Sequence, residues 1–455
     1  MNRSVLIVTP FFAPQNHSAV FRAFKLAKYL PQFGWKPFVL TVDTQYEYNE
    51  DATMLSDLPP EVEVVRTRYI EPTLRGVRMA FGGRDRTFKR VRLGNTIRPN
   101  SNPSGGRAPA ATRIYQSLLQ NWLHAPDAHW TWANTAIQVG KGLVRDGKID
   151  LVLTTAPPYS SLLVGQALQN AGAKWIADFR DPLAYTQRLS SDSARIYRQQ
   201  RHIVKNALSN ADAVTVAASC FSSIYFDMFG KQEVDPIFIP TGMDSCLLET
   251  AAKEIHRTFP YLLFAGEYLS DYDASFLEAF AGAMRNPAVE QTRIKLLVVG
   301  TLELNRLRLT PLIDRLGLHE HIEFMDQRPQ REVYELLSGA HAGILIPGSR
   351  AYWWTTFAKM TDYIGMRKPV LAVVPDPSEA RTALTRSRLG IFLDGSINNR
   401  VEVLTDFLLG KHKMPVPDEN ECERYTARQQ VKSFVEVFES LMAPKTSSQA
   451  TDIQG

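Results

Sequence analysis

Between residues 342 and 374 the sequence reads strand, loop, helix, strand, over 342–347, 348–354, 355–366 and 369–374, and its loop and helix start gather anion-binding groups. Thr355 and Thr356 are good N-cap types. The spacing therefore predicts a helix from 355 whose unpaired N–H groups and positive dipole end face whatever lies beyond the first strand. Lys359 stands one turn inside and reaches the same point. Asp362, three residues on, falls on the same helix face and can accept hydrogen bonds from sugar or ribose hydroxyls. A phosphate site beside a hydroxyl acceptor points to a nucleotide sugar. An ordinary βαβ unit with a capped helix and an i,i+3 ion pair accounts for the same residues.

Such a constellation needs a scaffold that brings loops to one edge. Apolar runs alternate with helical periods from end to end, which predicts a doubly wound α/β architecture. Seven strands are read between Ser4 and Ile239 and six between Tyr261 and Leu393. At 455 residues the chain exceeds one hydrophobic core, so two domains follow. The expected organisation is a first domain over 1–240 with a basic insertion at 75–113, a linker over 241–258 and a second domain over 259–415. A helix over 416–442 is expected to pack back toward the first domain, and 443–455 to form a disordered tail. Ligands of open α/β sheets bind beyond the carboxyl ends of the strands. Asn16, His17, Ser18 and Arg22 follow the first strand, Asp178-Phe-Arg-Asp181 follows the fifth, and Gly266-Glu-Tyr-Leu-Ser-Asp271 follows the first strand of the second domain.

Composition excludes several classes. Cys220, Cys246 and Cys422 are far apart and show neither metal-ligand spacing nor a disulfide framework, which fits a reducing cytoplasm. The apolar run from Ser4 has no cleavage-site pattern and reads as a buried strand, and no run approaches the roughly 18 apolar residues of a membrane span. Charge is unevenly placed. Residues 75–113 hold ten Lys/Arg against Asp85, a net +9 against +5 for the whole chain, so the remainder is net −4. The apolar stripe Ile114, Leu118, Leu119, Trp122 and Leu123 follows at once. Basic loop plus amphipathic helix suits an anionic membrane surface; a solvated loop before a core helix is the alternative reading.

In order and spacing, several segments resemble the GT-B glycosyltransferases, in particular family 4 and its bacterial members that make surface polysaccharides. These are Val5-Leu-Ile-Val-Thr-Pro-Phe-Phe-Ala-Pro14, Pro126-Asp127 with Trp130, Thr154-Thr-Ala-Pro-Pro-Tyr-Ser-Ser161, Trp175-Ile-Ala-Asp-Phe-Arg-Asp-Pro182, Ala211–Val216 and Ile239-Pro-Thr-Gly-Met-Asp244. The resemblance covers residues 3–440. It implies two Rossmann-like domains facing across a nucleotide-sugar cleft, transfer with retention of configuration, and no bound metal or cofactor beyond the nucleoside-diphosphate sugar. The chain departs from the family pattern at three places. Asn16-His17-Ser18 replaces a glycine pair, Trp354 and Asp362 stand where an E-x7-E pattern has glutamates, and Glu267–Asp273 lacks the usual basic pair.

Donor binding is accordingly expected of Gly266, Arg350, Thr355, Thr356, Lys359 and Asp362 in the second domain and of Ser18 and Arg22 in the first. His17, Asp178, Arg180 and Asp181 are expected on the acceptor side, with Arg180, Asp181 and Asp362 catalytic. Trp353 and Trp354 read as platforms over a sugar or base, or as interdomain packing. For Asp181 a turn cap before Pro182 is an equal reading, and for His17 a satisfied loop histidine is favoured. The expected partners are a nucleotide sugar, a glycan or lipid-linked acceptor and an anionic membrane, not nucleic acid, at the cytoplasmic face. A GT-B-type nucleotide-sugar epimerase and a catalytically silent scaffold of a polysaccharide assembly remain as competing classes.

Overall fold

The computed structural model describes residues 3–43, 50–73, 76, 124–185, 191, 193–249 and 257–443. The basic insertion, its following apolar stripe and the tail from 444 lie outside the described residues, Gly76 apart. The chain divides into two compact units. The first comprises Met1–Val216, Ser222–Ile239 and Val431–Gly455; the second comprises Ala217–Phe221 and Pro240–Gln430.

The first unit is built on a seven-stranded parallel sheet of order β3-β2-β1-β4-β5-β6-β7. Its strands are β1 Ser4–Val8, β2 Lys36–Val42, β3 Glu63–Thr67, β4 Leu151–Ala156, β5 Lys174–Phe179, β6 Ala213–Val216 and β7 Ile237–Phe238. Continuous apolar runs such as Val5-Leu-Ile-Val8 form central strands because both faces are covered, and all four residues are fully buried. Numbering helices of eight or more residues, α1 is Ser18–Tyr29, α2 Trp130–Arg145, α3 Tyr159–Gln169, α4 Ala194–Asn210 and α5 Phe221–Phe229. The register places Val8 beside Thr154, and Thr154 beside Ala177, so the loops after β1, β4 and β5 leave from one edge.

The second unit carries a six-stranded parallel sheet of order β10-β9-β8-β11-β12-β13. These strands are β8 Tyr261–Ala265, β9 Lys295–Val299, β10 Ile322–Met325, β11 Ala342–Leu345, β12 Val370–Ala372 and β13 Gly390–Phe392. Its helices are α6 Ser275–Met284, α7 Leu302–Leu316, α8 Gln330–Gly339, α9 Ala358–Gly365, α10 Glu379–Arg386 and α11 Ile397–Leu408. The last helix, α12 Ala427–Met442, belongs from Val431 onward to the first unit, where Phe434 and Phe438 are fully buried and Phe438 meets the Trp35 ring at 5.1 Å. All thirteen expected strands are present. Among the described residues no helix is long and apolar enough to cross a membrane.

Candidate functional site

In the second unit the loop after β8 turns at Gly266, whose φ of +120° disfavours any residue with a Cβ. Its N–H donates to the Val299 carbonyl at 2.7 Å, and its own carbonyl accepts from Asn305 Nδ2 at 3.0 Å. Asn305, fully buried on α7, also accepts from the Tyr268 N–H at 2.8 Å, so α7 fixes this turn from behind. Gly300 must likewise be glycine, because a Cβ there would lie 2.3 Å from the Gly266 oxygen.

Lys359, the second residue of α9, reaches over this turn. Its ammonium sits 3.8 Å from the centre of the Phe264 ring, and a Cβ on Gly266 would come within 3.3 Å of it. Among the described residues it has no carboxylate partner. Burial pulls its pKa from 10.5 down to about 7. The buried hydroxyls of Thr355 and Thr356 have no hydrogen-bond partner among the described residues. Unsatisfied buried hydroxyls are costly, and an ammonium on an aromatic face is only partly compensated. An anion would compensate the ammonium, and the two unsatisfied hydroxyls stand three and four residues before it in the chain. The two threonines do not open the helix as their types predicted. Ser349 caps a short turn over Arg350–Tyr352, the Thr355 N–H bonds back to the Tyr352 carbonyl, and α9 starts at Ala358 with extended Phe357 at its N-cap.

The remaining expected residues of this unit divide. Asp362 is held by a neighbouring side chain: its Oδ1 accepts from the Tyr334 hydroxyl at 2.7 Å, and that hydroxyl accepts from Gln330 Nε2 at 3.0 Å and the Asp244 N–H at 3.4 Å. Arg350 is exposed on its short turn. Trp354 is not a platform, being 5% exposed and packed against Phe221, while the half-buried Trp353 gives its carbonyl to the Glu379 N–H. Glu379, which residue types alone did not single out, is buried and accepts from the Ser219 and Cys220 N–H groups and the Ser219 hydroxyl.

The first unit holds a second cluster where β1, β4 and β5 end. His17 caps α1 in position but makes no side-chain cap; its Nε2 lies 3.0 Å from Gln15 Oε1 and its ring meets Phe11 edge-on at 5.3 Å. His129 meets the same Phe11 at 5.2 Å and stacks on Tyr69 at 5.1 Å. Arg180 donates to the Ala19 carbonyl at 2.7 Å and to the Pro157 carbonyl, with its guanidinium 5.8 Å from the Phe11 ring. Burial, then the Arg180 and His129 charges, push His17 from 6.5 down to about 4, and burial lowers His129 as well, so both imidazoles are neutral at pH 7. Burial lowers Arg180 too, against the opposing charges of Asp181 and Asp178. Asp127 accepts from the His129 N–H and from the Ser160 N–H and hydroxyl, tying the histidine's loop to the start of α3. Asp181 lies beside this cluster in the loop after β5, and Ser18 is exposed at the first residue of α1.

Two expected ligand-binding residues are corrected. Arg22 and Asp178 are 2% and 1% exposed and bind each other, Nε to Oδ2 at 2.9 Å and Nη2 to Oδ1 at 2.7 Å. Thr215 donates to the same Oδ1 at 2.7 Å, and the Phe434 ring lies 5.1 Å from the guanidinium carbon. Their hydrogen bonding is spent inside the core, so neither faces a ligand. His129, Tyr334 and Asn305 join the site from sequence positions that carried no motif; only Asp127, two residues before His129 and ahead of a helix, offered a signal. Among the described residues no group of three or more His, Cys, Asp or Glu is placed to hold a metal ion.

No family model matches the chain, and no curated protein matches it. Solved structures do. The chain resembles sucrose-phosphate synthase from Thermosynechococcus elongatus at 14% identity and a TM-score of 0.59, with 96% of this chain and 98% of that one covered. It resembles a glycosyltransferase from Rickettsia africae at 13% identity and 0.57, covering 98% and 99%. A structure described as a UDP-N-acetylglucosamine 2-epimerase from Listeria monocytogenes matches at 13% identity and a TM-score of 0.51, over 99% of this chain and 97% of that one. At these identities the likeness establishes the fold: two parallel-sheet α/β domains of the GT-B type.

Proposed function

We propose that the chain is a glycosyltransferase that takes a sugar from a nucleoside-diphosphate sugar, the second unit binding the donor and the His17–Arg180 cluster of the first unit binding the acceptor. One observation carries the donor assignment: Lys359, a cation with no carboxylate partner among the described residues, stands beside the glycine turn at Gly266, and two threonine hydroxyls just before it in the chain are unpartnered among the described residues. Transfer from such a donor requires the departing diphosphate to be stabilised as negative charge develops on it. A desolvated ammonium and fixed hydroxyl donors supply that stabilisation with little reorganisation. Asp362, oriented by Tyr334, then serves ribose or donor-sugar hydroxyls. Membership of family 4, retention of configuration without a metal, a role in surface polysaccharide synthesis and peripheral attachment through the basic segment 75–113 belong to this proposal. Two of the named neighbours are themselves a sucrose-phosphate synthase and a glycosyltransferase.

The test is calorimetric titration with nucleoside diphosphates and thermal shift with their sugars, since a ligand at 100 times its Kd adds about 2.7 kcal/mol to stability. Lys359→Ala is expected to weaken diphosphate binding by about 1.5–3 kcal/mol, the worth of a hydrogen bond to a charged group, without changing the unliganded melting temperature downward. Equal affinity in the variant and the parent would refute the donor site. Epimerisation is favoured by one observation, the paired imidazoles of His17 and His129 at Phe11. It is separated from transfer by incubating the protein with a nucleotide sugar and no acceptor: a changed sugar configuration in the NMR spectrum assigns an epimerase, and an unchanged one leaves transfer.

A further inference from the structure

Helices α2, α3 and α4 share one layer over the first sheet, α3 lying between the other two. They contain 16, 11 and 17 residues and not one Asp or Glu. Their charges are Lys141, Arg145, Arg195, Arg198, Arg201 and Lys205, all positive. On α4 the buried positions Ile196, Gln200, Ile203, Val204, Ala207 and Leu208 define the inner face. The exposed residues Arg195, Arg198, His202 and Lys205 recur at helical spacing along the outer one. At about 1.5 Å per residue this stripe runs along a helix of roughly 25 Å.

Large apolar side chains are exposed on the same layer and on neighbouring segments: Phe226 on α5 at 59%, Tyr185 before α4 at 39% and Val139 on α2 at 37%. Arg201 connects the two kinds of group, donating to the Met228 carbonyl at 3.0 Å and lying 4.8 Å from the Phe229 ring centre. Asp227 is the acid of α5. A basic face interspersed with exposed aromatic and aliphatic residues matches an anionic bilayer, where cations meet headgroups and apolar side chains enter the acyl boundary. A nucleic acid would use the cations but leave Phe226 and Val139 in water.

We propose that the outer face of the α2–α3–α4 layer, centred on the α4 stripe, docks on anionic phospholipid bilayers. This deepens the peripheral attachment proposed above by assigning it residues other than those of segment 75–113. Sedimentation of the full chain is compared with vesicles of phosphatidylcholine alone and of phosphatidylcholine mixed with phosphatidylglycerol. Reversing three charges, Arg195→Glu/Arg198→Glu/Lys205→Glu, is expected to lower partitioning onto the anionic vesicles by well over about a hundredfold. An equal charge change in the second unit, Arg285→Glu/Lys411→Glu/Lys413→Glu, is expected to bind like the parent, and a variant lacking 84–107 to retain part of the binding. If the triple variant does not fold, Arg198→Gln/Lys205→Gln supplies the readout, with a roughly thirtyfold loss expected. The surface assignment is overturned if the α4 variant binds as tightly as the parent, if both triples lose equally, or if the parent ignores vesicles, whether or not it is retained by duplex RNA. Nucleotide binding unchanged in the α4 variant keeps this outcome distinct from the donor reading.

Discussion

At the scale of single residues, Lys359 combines two properties that oppose each other. Its ammonium is what a diphosphate needs, yet burial over Phe264 favours the neutral amine and sets its pKa at about 7. Below pH 7 the folded and unfolded chains both carry the proton and the full cost of the buried charge is felt. Between about 7 and the ordinary value of 10.5 the unfolded chain binds more protons than the folded one, so this residue's destabilisation is relieved as pH rises. Ligand binding runs the other way. A phosphate, already fully dianionic above its second pKa of about 6, should draw a proton onto Lys359, and affinity for nucleoside diphosphates is expected to fall up to tenfold per pH unit above 7. Titrations in buffers of different ionisation heat would show the uptake, and Lys359→Arg should abolish it; a pH-independent affinity in the parent would reject this account. The types of Lys359 and Asp362 announced a polar site, and Gly266 stood where a strand ends. The partners that define their roles, Tyr334 for Asp362 and Phe264 for Lys359, are 28 and 95 positions away and carry no local signal.

Among elements, the parallel strands were readable because burial on both faces writes them as continuous apolar runs, as in Val5–Val8 and Leu151–Leu153. The start of α9 was not. A capped short turn at Ser349 and the bond from Thr355 to Tyr352 defer the helix by three residues, a competition between local hydrogen bonds that residue types leave undecided. The larger misreading concerned Arg22 and Asp178. Charged residues on α1 and at the end of β5 look like ligand groups, but their pairing across 156 positions joins helix to sheet inside the core. Asp178→Ala leaves a buried guanidinium uncompensated and is expected to cost about 3–5 kcal/mol in urea denaturation, whereas the paired replacement Arg22→Met/Asp178→Leu should cost much less. A mild effect of Asp178→Ala on stability with a large effect on ligand binding would restore the functional reading.

For the whole molecule, the two-unit plan follows from length and alternation, but the boundaries follow from contacts between distant segments. The first unit is not finished at Ile239, because it takes residues from Val431 onward. Phe434 and Phe438 are buried there, each worth about 1.5–3 kcal/mol against a typical domain stability of 5–15 kcal/mol. A fragment ending at Ile239 is therefore expected to lack cooperative unfolding, and joining residues 427–443 to it through a flexible linker to restore the transition in circular dichroism; a cooperative fragment without that helix would refute the dependence. The ribosome meets the same requirement in time. Residues 240–430 are made between the two parts of the first unit, an interval of roughly 10–40 s at elongation rates of about 5–20 residues per second. Through that interval Trp35 lacks its partner Phe438, so the nascent N-terminal half waits, incomplete, for the last helix to emerge from the exit tunnel.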